Sequence, residues 1–225
     1  MSEDNGCGLM DMVEIAAQLR NPFGTNAAEI GKRMARSNAH IIAVCVEQLQ
    51  IENNDIVLEI GPGSGGHISS VVEAARDVRY VGIDWSAAMV NTAKRNNQHF
   101  VERGTAACYQ GNAAAMEFDV CSFDKAFSVN TIYFWENPRQ QLKEIRRVLK
   151  SNGILCLAFG DSDFMSKLPF TGDFTLYSDI EALALIEGCG FSVIQHSRHT
   201  EEGKSNANEQ VNKLFHIMRC ARLEG

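Results

Sequence analysis

Residues 57–66 combine a short apolar run with a cluster of glycines. They read Val-Leu-Glu-Ile-Gly-Pro-Gly-Ser-Gly-Gly, and Ile68, Val71 and Val72 follow at helical spacing. A strand, a glycine loop and a helix in this order begin a βαβ unit that binds a nucleotide. Glycines permit the tight turn and let a ligand lie against bare backbone beside the helix N-terminus.

The glycine spacing alone fits two kinds of nucleotide. Gly61, Gly63 and Gly66 match G-x-G-x-x-G, the dinucleotide fingerprint, whereas Gly61, Gly63 and Gly65 match G-x-G-x-G. The carboxylate of Glu59 would repel a pyrophosphate and attract a ligand with a sulfonium and an ammonium group. Opposite charges about 4 Å apart gain roughly 4 kcal/mol at an effective dielectric of about 20. The pattern therefore favours S-adenosylmethionine (SAM) over NAD.

The composition is that of a globular domain. The chain has 225 residues, of which 45% are hydrophobic, enough for one domain with a substantial core. No apolar stretch approaches the roughly 18 residues of a membrane span, and the acidic start at residues 1–5 is unlike a signal peptide. The net charge of −7 argues against binding along a nucleic-acid backbone. We therefore expect no membrane span and no nucleic-acid partner.

Cysteine usage indicates the compartment. The seven cysteines form no C-x-x-C pair, and Cys45, Cys156 and Cys220 lie within apolar segments. Reduced thiols behave there as small apolar side chains. Because disulfides are rare in reducing compartments, this usage predicts a cytoplasmic protein.

The first 50 residues are predicted to form a helical lid or substrate-binding region, ahead of a catalytic domain over residues 51–225. Three helices are expected, over residues 9–20, 26–34 and 41–50. Asn26, followed three residues later by Glu29, resembles a capping box that opens the second helix.

Strands and helices then alternate. Apolar runs predict seven strands, over residues 57–60, 78–84, 105–111, 123–130, 153–160, 191–200 and 212–223. Later helices are expected from Ser86 to about Val101, from Asn137-Pro138 to Gly153, and from the capping box Ser178–Glu181 to Gly188 or Gly190. The polar stretch 201–210 is too short for a crossover helix, so the last two strands form an antiparallel hairpin. The expected fold is α/β, a Rossmann-like sheet of seven strands with N-terminal helices.

This layout and several motifs resemble the class I SAM-dependent methyltransferases, over roughly Asp55 to Leu223. The glycine loop, Val81-Gly-Ile-Asp84, Phe123–Asn130 and Ile145–Gly153 carry the likeness together. Within the family, the chain is most similar to small-molecule methyltransferases of the ubiquinone/menaquinone-biosynthesis type. The resemblance implies SAM as the cofactor.

The resemblance also implies roles for particular residues. The glycine loop would wrap the methionine end of SAM, and Asp84 would accept hydrogen bonds from both ribose hydroxyls. Trp85 and Met89 would flank the adenine. Asn112-Ala113 stands where the family usually has Asp-Ala, so an amide would meet the adenine amino group. The expected cofactor-binding residues are Glu59, Gly61, Gly63, Gly65, Asp84, Trp85, Met89, Asn112, Ala113 and Asn130.

The sequence indicates the residues that would bind the methyl acceptor less clearly than those that would bind the cofactor. Asn130-Thr-Ile-Tyr133 has the spacing of the Asn-Pro-Pro-Tyr element of amino-group methyltransferases, but both prolines are missing. Tyr133 and Trp135 would either wall a substrate pocket or pack under the lid, and Asp161 would contribute to the same pocket. We assign no catalytic residue, since a base is needed only when the nucleophile holds a proton at working pH.

The histidines do not predict a metal site. His196 and His199 lie three apart on a predicted strand, where their side chains point to opposite faces, so they do not chelate one ion. His67 follows the glycine loop and is interpreted as solvated or adjacent to SAM, with a role as a base as the alternative.

The sequence thus predicts a SAM-dependent methyltransferase that acts on a small molecule. One alternative is an NAD(P)-dependent oxidoreductase, which Glu59 disfavours, as does the lack of a Tyr-x-x-x-Lys pair typical of short-chain dehydrogenases. The other is a SAM-binding regulatory subunit without turnover, since the residues assigned above belong mainly to the cofactor.

Overall fold

A computed structural model describes residues 11–204 and 210–224 of the chain. Its strands are β1 Ile56–Ile60, β2 Arg79–Asp84, β3 Ala106–Gln110, β4 Phe123–Val129, β5 Leu149–Gly160, β6 Phe191–Lys204 and β7 Gln210–Arg222. They form one seven-stranded sheet in the order β3-β2-β1-β4-β5-β7-β6. Strands β1 to β5 are parallel, and β7 runs antiparallel to both β5 and β6. The predicted α/β sheet with its C-terminal hairpin is confirmed.

Helices cover both faces of this sheet. Within the described residues they are α1 Met12–Arg20, α2 Ala27–Leu49, α3 Ile68–Val72, α4 Ala87–Asn96, α5 Gln98–Glu102, α6 Pro138–Val148, α7 Ser162–Met165 and α8 Asp179–Glu187. Asp11 caps α1 through a hydrogen bond from the amide of Glu14. The predicted start of this helix at residue 9 lies outside the described residues.

The prediction of two separate helices between residues 26 and 50 is wrong. A single 23-residue helix, α2, spans them, because the stretch 35–40 contains neither proline nor glycine to interrupt it. Asn26 precedes this helix but makes no side-chain capping hydrogen bond, so the predicted capping box is not formed. The C-terminal half of α2 packs on the sheet, where Ile41, Cys45 and Leu49 are fully buried.

Two other helix boundaries also differ from prediction. The helix expected to reach Val101 breaks at Asn97, whose side-chain amide donates to the carbonyl oxygens of Gly65 and Ala93. The hydrogen bond to Gly65 connects the end of α4 to the glycine loop. Helix α6 ends at Val148, before the expected Gly153, because Leu149 is fully buried and pairs with Phe123 in the sheet.

The strand order determines where a ligand can bind. Strands β1 and β4 are neighbours at the point where the order reverses, and ligands of open α/β sheets bind beyond the carboxyl ends of the strands at such a point. None of the helices in residues 11–204 and 210–224 is both long and apolar enough to cross a bilayer.

Candidate cofactor and substrate site

The loop after β1 has the backbone that its glycines predict. Gly61, Gly63 and Gly65 have φ values of 77°, 56° and 66°, a region that L side chains rarely adopt. A Cβ atom at Gly61 would lie 2.5 Å from Cγ2 of Thr131, whereas one at Gly63 would meet nothing within 4 Å. Gly61 thus allows close contact with the segment after β4, and Gly63 leaves open space for a ligand.

A cavity of about 320 Å³ opens in front of this loop. The ends of β1, β2 and β4, the loop after β3 and the N-terminal half of α2 surround it. Nine of the ten predicted cofactor residues line it, together with Trp135: Glu59, Gly61, Gly63, Asp84, Trp85, Met89, Asn112, Ala113 and Asn130. The tenth, Gly65, belongs to the same loop but does not line the cavity; a Cβ on it would come within 2.9 Å of Ala93 in α4.

Asp84 ends β2 and organises two neighbouring segments. One carboxylate oxygen accepts from the amide of Gly63 at 3.0 Å and the other from the amide of Ser86 at 2.8 Å. Burial raises the pKa of Asp84 to about 6, outweighing these two hydrogen bonds, which lower it. Ser86, rather than Asp84, caps α4, by accepting from the amide of Met89. Asp84 therefore keeps lone pairs for a ligand in the cavity.

Glu59 has partners that the sequence argument did not include. Its buried carboxylate lies 2.8 Å from Nε2 of His67 and accepts a short hydrogen bond from the hydroxyl of Tyr80. Burial lowers the pKa of His67, but the charge and hydrogen bond of Glu59 outweigh this effect, so the net pKa is raised. His67 also lines the cavity, so a ligand there meets a Glu59–His67 pair in place of a bare carboxylate.

The side chains assigned to the adenine differ in exposure. Trp85 is 59% exposed, whereas Met89 is buried. Oδ1 of Asn112 already accepts a hydrogen bond from the amide of Ala114 at 2.8 Å. A hydrogen bond from a ligand would therefore be its second. Gln141, which the sequence reading missed, also lines this cavity, and its buried Oε1 has no hydrogen-bond partner among the described residues. A ligand amino group would satisfy such an acceptor.

A second, smaller cavity of about 70 Å³ adjoins the first. Five residues border both cavities: Leu19, Met34, Asn38, Asn130 and Phe134. The rest of its wall is mostly aromatic and apolar: Tyr133, Phe164, Met165, Leu168, Phe170, Phe174 and Phe215. Tyr133 thus lies on the second cavity and Trp135 on the first. Asp161 lines neither; it caps α7 and lies 2.9 Å from Nε2 of His216.

Hydrogen bonds fix the wall between the cavities. Asn130, in the left-handed region at φ 56°, donates from Nδ2 to Oδ1 of Asn38 at 3.1 Å. The hydroxyl of Tyr133 donates to Oδ1 of Asn130 at 3.0 Å and accepts from the amide of Gly160. Nδ2 and Oδ1 of Asn130 therefore both have protein partners. In an amino-group methyltransferase site, by contrast, this oxygen would hold the target amine.

The one lysine on the second cavity wall among the described residues is neutralised. Nζ of Lys213 donates to Glu201 at 2.9 Å and to the backbone oxygen of Ser37 at 2.8 Å. Sequence reading missed this residue, because it lies in a strand that shows no motif. The second cavity therefore presents apolar surface and no unpaired charge from the described side chains.

These features fit the groups of SAM. The open space at Gly63 would admit the methionine chain, Asp84 would offer carboxylate lone pairs to the ribose, and Met89 and Trp85 would provide apolar surface for the adenine. The unpartnered Oε1 of Gln141 is a further acceptor in the same wall.

Comparisons with known proteins define the class. Residues 58–157 match a family described as "Methyltransferase domain". The uncharacterized methyltransferase YdaC of Bacillus subtilis is 31% identical over 123 residues, 55% of this chain and 66% of that protein. The chain spans 59% of a second Bacillus relative, the putative methyltransferase YrhH. A tRNA (guanine-N(7)-)-methyltransferase of Clostridium botulinum aligns over 182 residues at 62% identity, covering 74% of this chain and 78% of that protein. This match is statistically weaker than the two Bacillus matches.

Solved structures agree on the fold. A Haloferax volcanii methyltransferase in complex with the Trm112 activator superposes with a TM-score of 0.76 at 18% identity, covering 94% of this chain and 98% of that one. Geranyl diphosphate C-methyltransferase of Streptomyces coelicolor, with S-adenosylhomocysteine bound, gives 0.68 at 12% identity, covering 84% and 77%. The chain belongs to the SAM-dependent methyltransferases. The methyltransferase-domain match covers residues 58–157, and the cofactor of this class is SAM.

Proposed function

We propose that this chain transfers the methyl group of SAM to a small, largely apolar acceptor held in the second cavity. The observation that carries the proposal is the junction of the two cavities at Asn130 and Phe134. An acceptor among the aromatic side chains would lie beside the methionine end of the first cavity. The fold neighbour that acts on geranyl diphosphate supports a small acceptor only by analogy.

SAM supplies an electrophilic methyl group on a sulfonium sulfur. The residues of this chain would align the acceptor and exclude water, and alignment alone can account for most of the acceleration. Asp84 and the glycine loop would hold the cofactor, and Phe134 and Tyr133 would orient the acceptor. His67 is paired with Glu59, so we give it an electrostatic role at the methionine end and no proton transfer.

An alternative acceptor is a tRNA guanine, which the Clostridium relative favours. The net charge of −7 disfavours it, because nucleic-acid affinity comes largely from basic side chains on phosphates. A SAM-binding subunit without turnover remains the non-enzymatic rival. The free thiols of the described cysteines, of which only Cys121 is exposed, support our proposal of a cytoplasmic protein.

Release of S-adenosylhomocysteine tests the proposal. The full chain is incubated with SAM and either pools of small apolar and aromatic acceptors or tRNA transcripts. We expect release with the small acceptors, and release with tRNA alone would contradict a small acceptor. No release from either set, despite SAM binding, would support the subunit without turnover.

A cavity-filling variant gives a sharper test. Leu168 lines only the second cavity, so Leu168→Trp should reduce turnover and leave SAM affinity unchanged. Leu183→Trp on the exposed surface of α8 is the matched control, with turnover retained. Equal turnover in both variants would remove the second cavity from the reaction.

A further inference from the structure

Two histidines and an aspartate converge on the far side of the hairpin from α2, away from both cavities. Asp179 is the first residue of α8, His196 lies on β6 and His216 on β7. One possible ligand atom from each lies within 4.8 Å of the others. His216 is fully buried, whereas His196 is exposed, so the cluster is fixed at its base and open to solvent at its rim.

The hairpin register brings the histidines together. His196 pairs with Met218 and Arg198 with His216, so His196 and His216 are diagonal neighbours on one face of the hairpin. Their Nε2 and Nδ1 atoms are 2.9 Å apart. His199 contacts Gln48 of α2 on the other face, as its spacing predicts.

Asp161 orients the buried histidine. Its Oδ2 lies 2.9 Å from Nε2 of His216. Oδ1 of the same carboxylate accepts from the amides of Asp163 and Phe164. An ionised carboxylate only accepts, so Nε2 of His216 carries the hydrogen and Nδ1 is left as the donor atom for a ligand.

We propose that His196, His216 and Asp179 form a binding site for a divalent transition metal, most suited to Zn²⁺, with Asp161 as the positioning residue. Two imidazole nitrogens and one carboxylate oxygen are a donor set typical of zinc, with a fourth position open to water. A carboxylate on the far nitrogen of a ligating histidine is the usual support of such sites. With Zn–N bonds of about 2.0–2.1 Å, tetrahedral geometry separates the nitrogens by about 3.3 Å, so they need to move by only a few tenths of an ångström.

The site would link three segments. A metal would join the start of α8 to both strands of the hairpin, and Asp161 would extend this link to α7. Phe164 and Met165 of α7 line the second cavity, as does Phe215 beside His216. Metal binding would therefore stiffen the wall of that cavity without entering it.

Cobalt titration of the full, chelator-treated chain tests the proposal, because tetrahedral Co²⁺ gives visible absorption bands. We expect one Co²⁺ per chain, displaced by Zn²⁺. His196→Gln and Asp179→Asn should each weaken binding by more than tenfold, and Asp161→Asn by about 10–100-fold, the range for loss of such a support. His199→Gln, on the same strand but its opposite face, should bind like the unchanged chain.

His196 is exposed, so its variant tests the site even if a His216 variant fails to fold. Unchanged cobalt affinity in both His196→Gln and Asp179→Asn would overturn the proposal. So would ultraviolet thiolate-to-cobalt absorption that disappears in Cys121→Ser, or no binding by the unchanged chain. The last result would leave His196, His216 and Asp161 as a hydrogen-bonded chain. Each readout is independent of methyl transfer.

Discussion

The hydroxyl of Tyr133 donates to Oδ1 of Asn130 across 3.0 Å, on the wall that the two cavities share. The same hydroxyl accepts the amide hydrogen of Gly160 at the end of β5. Burial raises the pKa of Tyr133, so the hydroxyl stays protonated and can serve both bonds. One buried oxygen thereby joins the ends of β4 and β5 beside the acceptor cavity.

Tyr133→Phe should lower the free energy of unfolding by about 1–3 kcal/mol, because the buried amide of Gly160 loses its acceptor. Tyr109→Phe removes a hydroxyl from a half-exposed tyrosine of β3 and should change it by less than about 0.5 kcal/mol. Urea unfolding of the two variants measures both values. Equal losses would show that the Tyr133 hydroxyl does not support this wall.

Glu59→Gln should lower the pKa of His67. The charge of Glu59 is what holds this pKa up, and without it the effect of burial, which lowers the pKa, dominates. Titration of the histidine ring protons by NMR, assigned with His67→Gln, checks the direction. An unchanged pKa would mean that the Glu59–His67 pair does not form in solution.

Affinity for S-adenosylhomocysteine should depend on the ionisation of Asp84. The pKa of Asp84 is raised to about 6, and a ribose that donates to the carboxylate binds its ionised form, so affinity should increase as the pH rises through this value. Asp84→Asn should remove the rise. Calorimetry between about pH 5 and about pH 7.5 covers the ionisation step.

Loss of the Asp84 side chain should weaken cofactor binding in addition. Charge-assisted hydrogen bonds contribute roughly 1.5–3 kcal/mol each, so Asp84→Ala should reduce affinity by at least about tenfold. Asp84→Asn, which keeps one acceptor, should lose less. If the folded alanine variant binds as tightly as the unchanged chain, Asp84 serves only the loop amides of Gly63 and Ser86.

The N-terminal half of α2 should close over the cofactor. Gly31, Met34 and Asn38 line the first cavity, whereas the C-terminal half is buried on the sheet, so opening would involve only the segment before about residue 40. Trypsin should cleave after Lys32 and Arg36 faster without S-adenosylhomocysteine than with it. Cleavage after Arg103, outside both cavities, is the control. If S-adenosylhomocysteine changes the cleavage rate after Lys32 and Arg36 no more than after Arg103, the N-terminal half of α2 is fixed.

The sheet was predictable because its central parallel strands, β1, β4 and β5, are largely buried and so read as apolar runs between turn residues. Most boundaries that failed depend on distant contacts. The break at Asn97 exists because its side chain reaches the carbonyl of Gly65, and Leu149 joins β5 by pairing with Phe123. Neither contact can be recognised from the residues next to it in the sequence.

The candidate site likewise contains residues that the sequence predicts and residues that it does not. The positions of Gly61, Gly63 and Asp84 at the cavity were predictable because they follow from backbone conformation and strand position. The partners of Glu59 were not, because Tyr80 lies on the neighbouring strand and His67 beyond the loop. The cluster around His216 escaped for a similar reason, since spacing along β6 excludes His196 with His199 but does not show a partner on β7.

Binding of the cofactor is the most direct test of the whole account. Thermal unfolding of the full chain should shift upward with SAM and with S-adenosylhomocysteine, since a ligand at about 100 times its Kd adds about 2.7 kcal/mol to the folded state. NADH and NADP should produce no shift. A shift with NADH and none with SAM would contradict the assignment of the first cavity, and with it the proposed methyl transfer.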